Sequence, residues 1–171
     1  MIEFFNFFSL VNSAVLANDS LLWVTGGYSS ILDGPLDSTE WVDISKNTVE
    51  KGPNLPQRLQ WHCVVKLNEY QVMVIGGMNG DELATNEVYL FNYHSMNWQL
   101  GPSLHHARYG HSCGSFYNET AVARLDLTLV VVGGQNPSDD GVSQSVEKIN
   151  LMRDITWSAG RTFFSLKCKP I

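Results

Sequence analysis

Three glycine pairs divide this sequence into units of similar length. The pairs begin at Gly26, Gly76 and Gly133, so they recur after 50 and then 57 residues. Each pair directly follows a strand-like apolar run: SLLWVT, YQVMVI and LTLVVV. Glycines at the end of a buried strand permit positive φ and close approach of another backbone. Repetition at this period predicts an architecture built from copies of one supersecondary unit.

Other sequence features recur at the same spacing as the glycine pairs. After each pair comes a polar loop and then a segment that contains a glutamate: STEWVDI, TNEVYLF and SVEKINL. A tryptophan follows in the second and third units, and Val49 stands at the matching place in the first. We interpret the shared positions as a structural signature of the repeat. Its members are Gly26, Gly27, Gly76, Gly77, Gly133, Gly134, Glu40, Glu87, Glu147, Trp98 and Trp157.

The linkers between units also match. GPNLP at 52–56 and GPSLH at 101–105 are followed by His62 and His111, and Asn12 stands at the corresponding place before the first pair. We therefore predict four short strands in each unit. In the second unit these strands are 61–67, 70–76, 86–92 and 97–100. No window shows sustained helical periodicity. A lone four-stranded sheet of this kind has two apolar faces, which it can bury by stacking on copies of itself.

This order of strand, Gly-Gly, loop, glutamate, tryptophan and Gly-Pro linker resembles the kelch repeat over about residues 12–158. The resemblance implies an all-β chain of β-propeller blades with four antiparallel strands each. The predicted organisation comprises an N-terminal segment at 1–11, taken as the end of a missing blade, and a C-terminal tail at 161–171, taken as a truncated next repeat. Between them lie three kelch-like repeats at 12–58, 59–107 and 108–160.

About three repeats make an incomplete propeller, because propellers have roughly 4 to 8 blades. Two interpretations follow, and the sequence leaves both open. The chain is a fragment or truncated product, or it recruits further blades from another chain. An open stack would expose apolar blade faces at both ends.

Composition excludes some classes of partner. A net charge of −6 and a pI near 5.2, without a run of basic residues, argue against nucleic-acid binding. No apolar stretch is long enough to span a bilayer. The N-terminus has Glu3 where a signal peptide needs positive charge, so we expect a cytoplasmic location, with secretion as the alternative. Cys63, Cys113 and Cys168 are predicted to be free thiols.

Catalytic and cofactor chemistry finds little support in the residues. A phosphate cradle at Gly-Gly needs a following helix, and another strand is predicted there. Glutamates that recur once per unit favour a structural role over catalysis. His105, His106 and His111 form a histidine cluster without a carboxylate or thiolate at metal-binding spacing. We therefore expect no enzyme activity, no metal and no cofactor.

Loops and linkers are the candidate binding elements. In the kelch family the loops between the second and third strands share a face with the inter-blade linkers, and that face commonly grips partners. Here these loops carry carboxylates, whereas the linkers carry basic residues, so Arg58 and Arg108 are predicted to contact an acidic partner. The alternative is that the loops are solvated turns. The predicted partner-binding residues are Arg58, Arg108, His105, His106, Asp33, Asp37, Asp81, Glu82, Asp139 and Asp140.

The resemblance implies a protein–protein interaction module that binds a protein or peptide. Two alternatives come from relatives of the fold. Many kelch proteins are substrate receptors of ubiquitin ligases, but the BTB domain that those carry is not present in this sequence. The galactose oxidases hold copper with tyrosine and histidine, and here Tyr109 and Cys113 lie near His111 without an evident full ligand set.

Overall fold

The chain is an all-β protein. The computed structural model describes residues 9–10, 13–117, 127–136, 141–142, 145–151, 156 and 158–159. Three four-stranded antiparallel sheets, called blades 1, 2 and 3, follow one another along the sequence. Among the described residues there is no helix, and so none that could cross a membrane. The predicted fold class, kelch-like blades of a partial propeller, is confirmed.

Each blade is a meander in which consecutive strands are neighbours. The strands of blade 1 are β2 (Ser13–Leu16), β3 (Leu21–Thr25), β6 (Thr39–Asp43) and β7 (Thr48–Lys51). Those of blade 2 are β8 (Cys63–Lys66), β9 (Gln71–Met78), β10 (Ala84–Asn92) and β11 (Asn97–Leu100). Those of blade 3 are β12 (Ser112–Tyr117), β13 (Leu127–Val132), β16 (Val146–Asn150) and β17 (Ser158–Ala159). The order of four strands predicted for the second unit agrees with blade 2.

Short strands extend two of the blades toward their loops. β1 (Ser9–Leu10), β4 (Tyr28–Ser29) and β5 (Gly34–Pro35) form one small sheet, and β14 (Gln135–Asn136) pairs with β15 (Gly141–Val142). Their antiparallel pairing satisfies backbone groups that an irregular loop would leave to solvent.

Side chains alternate between the two faces of each blade, and neighbouring blades pack through these faces. Between blades 1 and 2 the contact is aromatic: Trp23 is fully buried and stacks on Phe91, with ring centroids 5.0 Å apart. Trp98 joins them at 4.8 Å from Phe91. Between blades 2 and 3 the contact is aliphatic and includes Ile75 and Leu129, both fully buried. Stacking therefore supplies the core that a single blade lacks.

The first two glycine pairs form joints between blades. The Gly27 and Gly77 amides donate to the carbonyls of Leu59 and Arg108 across the blade boundary, at 2.8 Å each. Both glycines have positive φ, and a Cβ on Gly77 would lie 2.8 Å from the Cβ of His62. The linker can approach this closely because the side chain is missing.

A buried histidine fills each joint. The ring of His62 lies where a Cβ on Gly26 would be, at 2.8 Å, and the ring of His111 lies equally close to Gly76. His62 Nε2 is 2.8 Å from the Thr25 hydroxyl. Burial lowers the pKa of His62 to about 3 and that of His111 to about 4. Both imidazoles are therefore neutral near pH 7.

The pairing register of the strands places a different residue at one position of the repeat signature. Val24 pairs with Glu40 and Val131 with Glu147, but Val74, at the same distance before its glycines, pairs with Tyr89. A register shift between Thr85 and Val88 precedes this pairing. The structural counterpart of Glu40 and Glu147 in blade 2 is therefore Tyr89 and not Glu87.

The expectation of free thiols is wrong for two of the cysteines. Cys63 on β8 and Cys113 on β12 form a disulfide, with Cα atoms 6.0 Å apart. The bond joins the first strands of blades 2 and 3, which lie side by side. Disulfides are typical of oxidising compartments, and the cytoplasmic location expected from the sequence stays a prediction.

We expect the double substitution C63S/C113S to lower the free energy of unfolding by about 2–4 kcal/mol, because the bond closes a loop across 50 residues. Urea unfolding of the oxidised chain and of the variant measures this difference. The matched control is Cys168→Ser, which leaves the crosslink intact. Equal effects of the two substitutions would contradict a stabilising bond between Cys63 and Cys113.

Candidate binding face

Loops and linkers meet on one edge of the stacked blades. Isolated bridges tie them together: Leu36 pairs with Leu59, Gln60 with Met78 and Tyr109 with Gln135. We call the surface formed by residues 28–38, 54–62, 79–83 and 103–111 the loop face. It lies at the end of the blades where the glycine pairs are, because each second strand ends there.

Several predicted partner-binding residues lie on the loop face. Arg58 is exposed beside the 79–83 loop, where a Cβ on Gly80 would be 3.9 Å from its Cβ and Cδ. Asp81 and Glu82, on that loop, are also exposed. The structure therefore brings this arginine and these carboxylates to one surface.

The carboxylates of the first loop have local partners. Asp33 accepts a hydrogen bond from the Tyr28 hydroxyl, which raises the pKa of Tyr28. Asp37 is half-buried and accepts from the Asn54 amide at 3.3 Å. Asp33 is exposed and adopts a left-handed conformation with φ of 48°, which fits the turn role weighed for this loop.

The histidine side chains of the second linker are exposed, but the backbone amides of these residues bind a buried carboxylate. The amides of His105 and His106 donate to the Glu147 carboxylate at 2.7 and 3.2 Å. Asp139, Asp140 and Trp157 lie outside the described residues, so their predicted roles remain predictions.

The position of Arg108 differs from the exposed, partner-binding position that the sequence predicted. Its side chain is completely buried and forms an ion pair with Glu147 at 2.7 Å, itself only 2% exposed. The guanidinium also donates to the Gly133 carbonyl at 2.8 Å and to the Ser145 hydroxyl at 2.7 Å. A guanidinium with all these partners fastens the linker to blade 3 and does not reach a ligand on the surface. The expectation that Arg108 contacts an acidic partner is therefore wrong.

The register explains this difference from Arg58. Leu59 and Arg108 make the same hydrogen bond to a glycine of the preceding blade, so they occupy equivalent positions. Leu59 packs beside Tyr89, where Arg108 pairs with Glu147. One joint thus uses an apolar pair and the other a buried ion pair at the same place.

We expect Arg108→Ala to lower the free energy of unfolding by about 3–5 kcal/mol, because it leaves Glu147 buried without its cation. The control Arg58→Ala removes an exposed guanidinium and should cost less than about 0.5 kcal/mol. Urea denaturation measures both. The pair R108L/E147Y, which copies the Leu59–Tyr89 joint, should recover much of the loss. Similar losses in the two alanine variants would contradict the buried pair.

Sequence reasoning missed an aromatic pair on the loop face. Trp61 and Tyr109, both half-buried, stack with ring centroids 5.3 Å apart at 27°. Trp61 has a φ of 53°, which is unfavourable for a bulky side chain. The equivalent position in the next linker is Gly110, with a φ of 64°. The sequence did contain a signal for this pair. The residue directly before the histidine is a glycine in one linker and a tryptophan in the other.

The residues considered for metal chemistry have structural positions in the fold. Among them no three His, Cys, Asp or Glu side chains converge as a metal-binding group. His111 is buried at a joint and Cys113 is bonded to Cys63, so neither is placed for the tyrosine–cysteine copper chemistry considered above. Gln57, Glu87 and Tyr89 form a hydrogen-bonded group at the edge of the joint between blades 1 and 2, in which Gln57 donates to Glu87 at 2.6 Å.

A known protein family matches part of the chain. Residues 9–56 match the family described as the Kelch motif, and this range includes all of blade 1. No curated protein matches the chain significantly. Blades 2 and 3 repeat the strand order and the glycine joints of the matched segment. The match supports a kelch-repeat protein, and kelch motifs typically belong to protein-binding propeller modules.

Proposed function

We propose that this protein binds a partner protein or peptide through the loop face. The observation that carries the proposal is Trp61, an aromatic side chain held in a left-handed conformation and stacked on Tyr109. Strained residues persist where surrounding contacts fix them, and they cluster at functional sites. Tryptophan and tyrosine are also the residues that most often dominate binding energy at interfaces.

Charge on the loop face favours a basic partner segment. With Arg108 buried, the exposed charged side chains of the loop face are three carboxylates, Asp33, Asp81 and Glu82, and one cation, Arg58. Rim charges of one sign steer and select partners of the opposite sign. The proposed ligand therefore places an apolar or aromatic side chain on the Trp61–Tyr109 pair and cationic side chains near the carboxylates. This replaces the acidic partner expected when Arg108 was taken to be exposed.

The test is selection of peptides from a random library displayed to the immobilised 171-residue chain, followed by titration calorimetry of the selected peptides. We expect Trp61→Gly to weaken their binding about 30-fold, since a central aromatic residue contributes about 2 kcal/mol. Stability should change little, because glycine relieves the positive φ while the stacking contact is lost.

The matched control is Met96→Gly. Met96 also has positive φ, at 53°, but it lies in the turn between β10 and β11, at the opposite end of the blade. Affinity should be unchanged in this variant. Selected peptides that bind both variants as well as the parent chain would contradict the proposed binding face.

A further inference from the structure

An open cavity lies at the end of the blades opposite the loop face. Three hairpin turns, 17–20, 67–70 and 93–96, meet there at the joint between blades 1 and 2. The cavity has a volume of about 580 Å³, and we call it the turn cavity. Its apolar walls include Trp41, Tyr70, Tyr93 and Met96. A concave site lined by aromatic side chains and a few polar groups is typical of ligand binding.

Stacking of the blades does not require aromatic rings at these positions. Trp41 and Leu90 are equivalent, because each pairs with the residue three before the glycine pair of its blade. Tyr93 and Leu151 are equivalent, because the amide of each donates to the residue six before the glycine pair. The joint between blades 2 and 3 therefore packs leucines where the first joint has rings.

The rings of the turn cavity are only partly used by the fold. Tyr70 is 58% exposed, and Trp41 and Tyr93 are half-buried. Trp41 stacks on Trp23 with ring centroids 5.4 Å apart, and Tyr93 meets Trp41 edge-on at 5.3 Å. The Tyr93 hydroxyl is buried and has no hydrogen-bond partner among the described residues. Such groups are rare in native proteins, and a ligand is one source of the missing partner.

The charges around the turn cavity favour a cation. Asp19 and Glu69 are exposed carboxylates on two of the turns, and both line the cavity. Lys66 is the one cation among the described lining residues. Its ammonium donates to the Ala17 carbonyl at 2.6 Å. The two carboxylates therefore outnumber a single lysine that already has a partner.

We propose that the turn cavity binds the arginine side chain of a partner protein. A guanidinium is planar and weakly hydrated, so it stacks on tryptophan and tyrosine while its N–H groups donate to carboxylates. A quaternary ammonium would use the rings but has no N–H for Asp19 and Glu69. A lysine ammonium is more strongly hydrated and does not stack. Free arginine would add a carboxylate, and the cation that could pair with it, Lys66, is held by Ala17.

The experiment is an NMR titration of the 171-residue chain with N-acetyl-arginine methylamide, followed at the Trp41 indole. We expect saturable shifts with a Kd of about 1 mM, as suits a ligand of this size. The corresponding lysine and trimethyllysine compounds, and free arginine, should each bind at least about fivefold more weakly.

Two exposed carboxylates provide a variant that keeps the fold. D19N/E69Q should weaken binding of the blocked arginine about 10-fold, because the guanidinium loses both acceptors. The matched control is D81N/E82Q, the same charge change on the loop face, which should leave the affinity unchanged. Trp61→Gly should also leave it unchanged, since this site does not depend on the loop face.

Two further variants test the rings. Trp41→Leu, which copies Leu90 of the second joint, should weaken binding about 10-fold. Tyr93→Phe should weaken it about fivefold without lowering the thermal stability of the free chain, because the hydroxyl that it removes has no partner there.

Three results would overturn the proposal. The first is the absence of saturable shifts with the blocked arginine. The second is equal affinity for the arginine and lysine compounds, which would show attraction by charge alone. The third is equal weakening in D19N/E69Q and D81N/E82Q, because the carboxylates of the turn cavity would then have no special role.

Discussion

The joint between consecutive blades is the constraint on which this structure depends. A four-stranded blade cannot bury both of its faces alone, so the linker must hold each blade against the next. It does so through hydrogen bonds from Gly27 and Gly77 to the linker carbonyls, which form only because the glycines let two backbones approach. His62 and His111 fill the space where side chains are missing.

At one position the two joints use different chemistry. Leu59 against Tyr89 is an apolar contact, whereas Arg108 against Glu147 is a buried ion pair with further hydrogen bonds from two linker amides. A buried pair of this kind adds little stability over an apolar pair, but it penalises any mismatch strongly. We infer that the residues at these two positions disfavour a linker placed against the wrong blade.

The three blades could be predicted from the recurring glycine pairs, because few residues other than glycine suit these backbone positions. Details that depend on register were harder. The shift before Val88 moved Tyr89 into the place expected for Glu87. Arg58 and Arg108 were treated as equivalents, although they stand four and three residues before their histidines. The Cys63–Cys113 bond joins strands of different blades, and no local pattern reports which blades are adjacent.

The central claim is that a neutral, buried histidine occupies each joint, and an NMR titration of the imidazoles tests it most directly. An exposed imidazole titrates near pH 6.5, but burial lowers the pKa of His62 to about 3 and that of His111 to about 4. Because the unfolded chain takes up these protons first, folding stability should be retained above pH 6.5 and fall as the pH is lowered. The account predicts that neither ring titrates above about pH 5 in the folded protein. A midpoint near 6.5 for either histidine would contradict it.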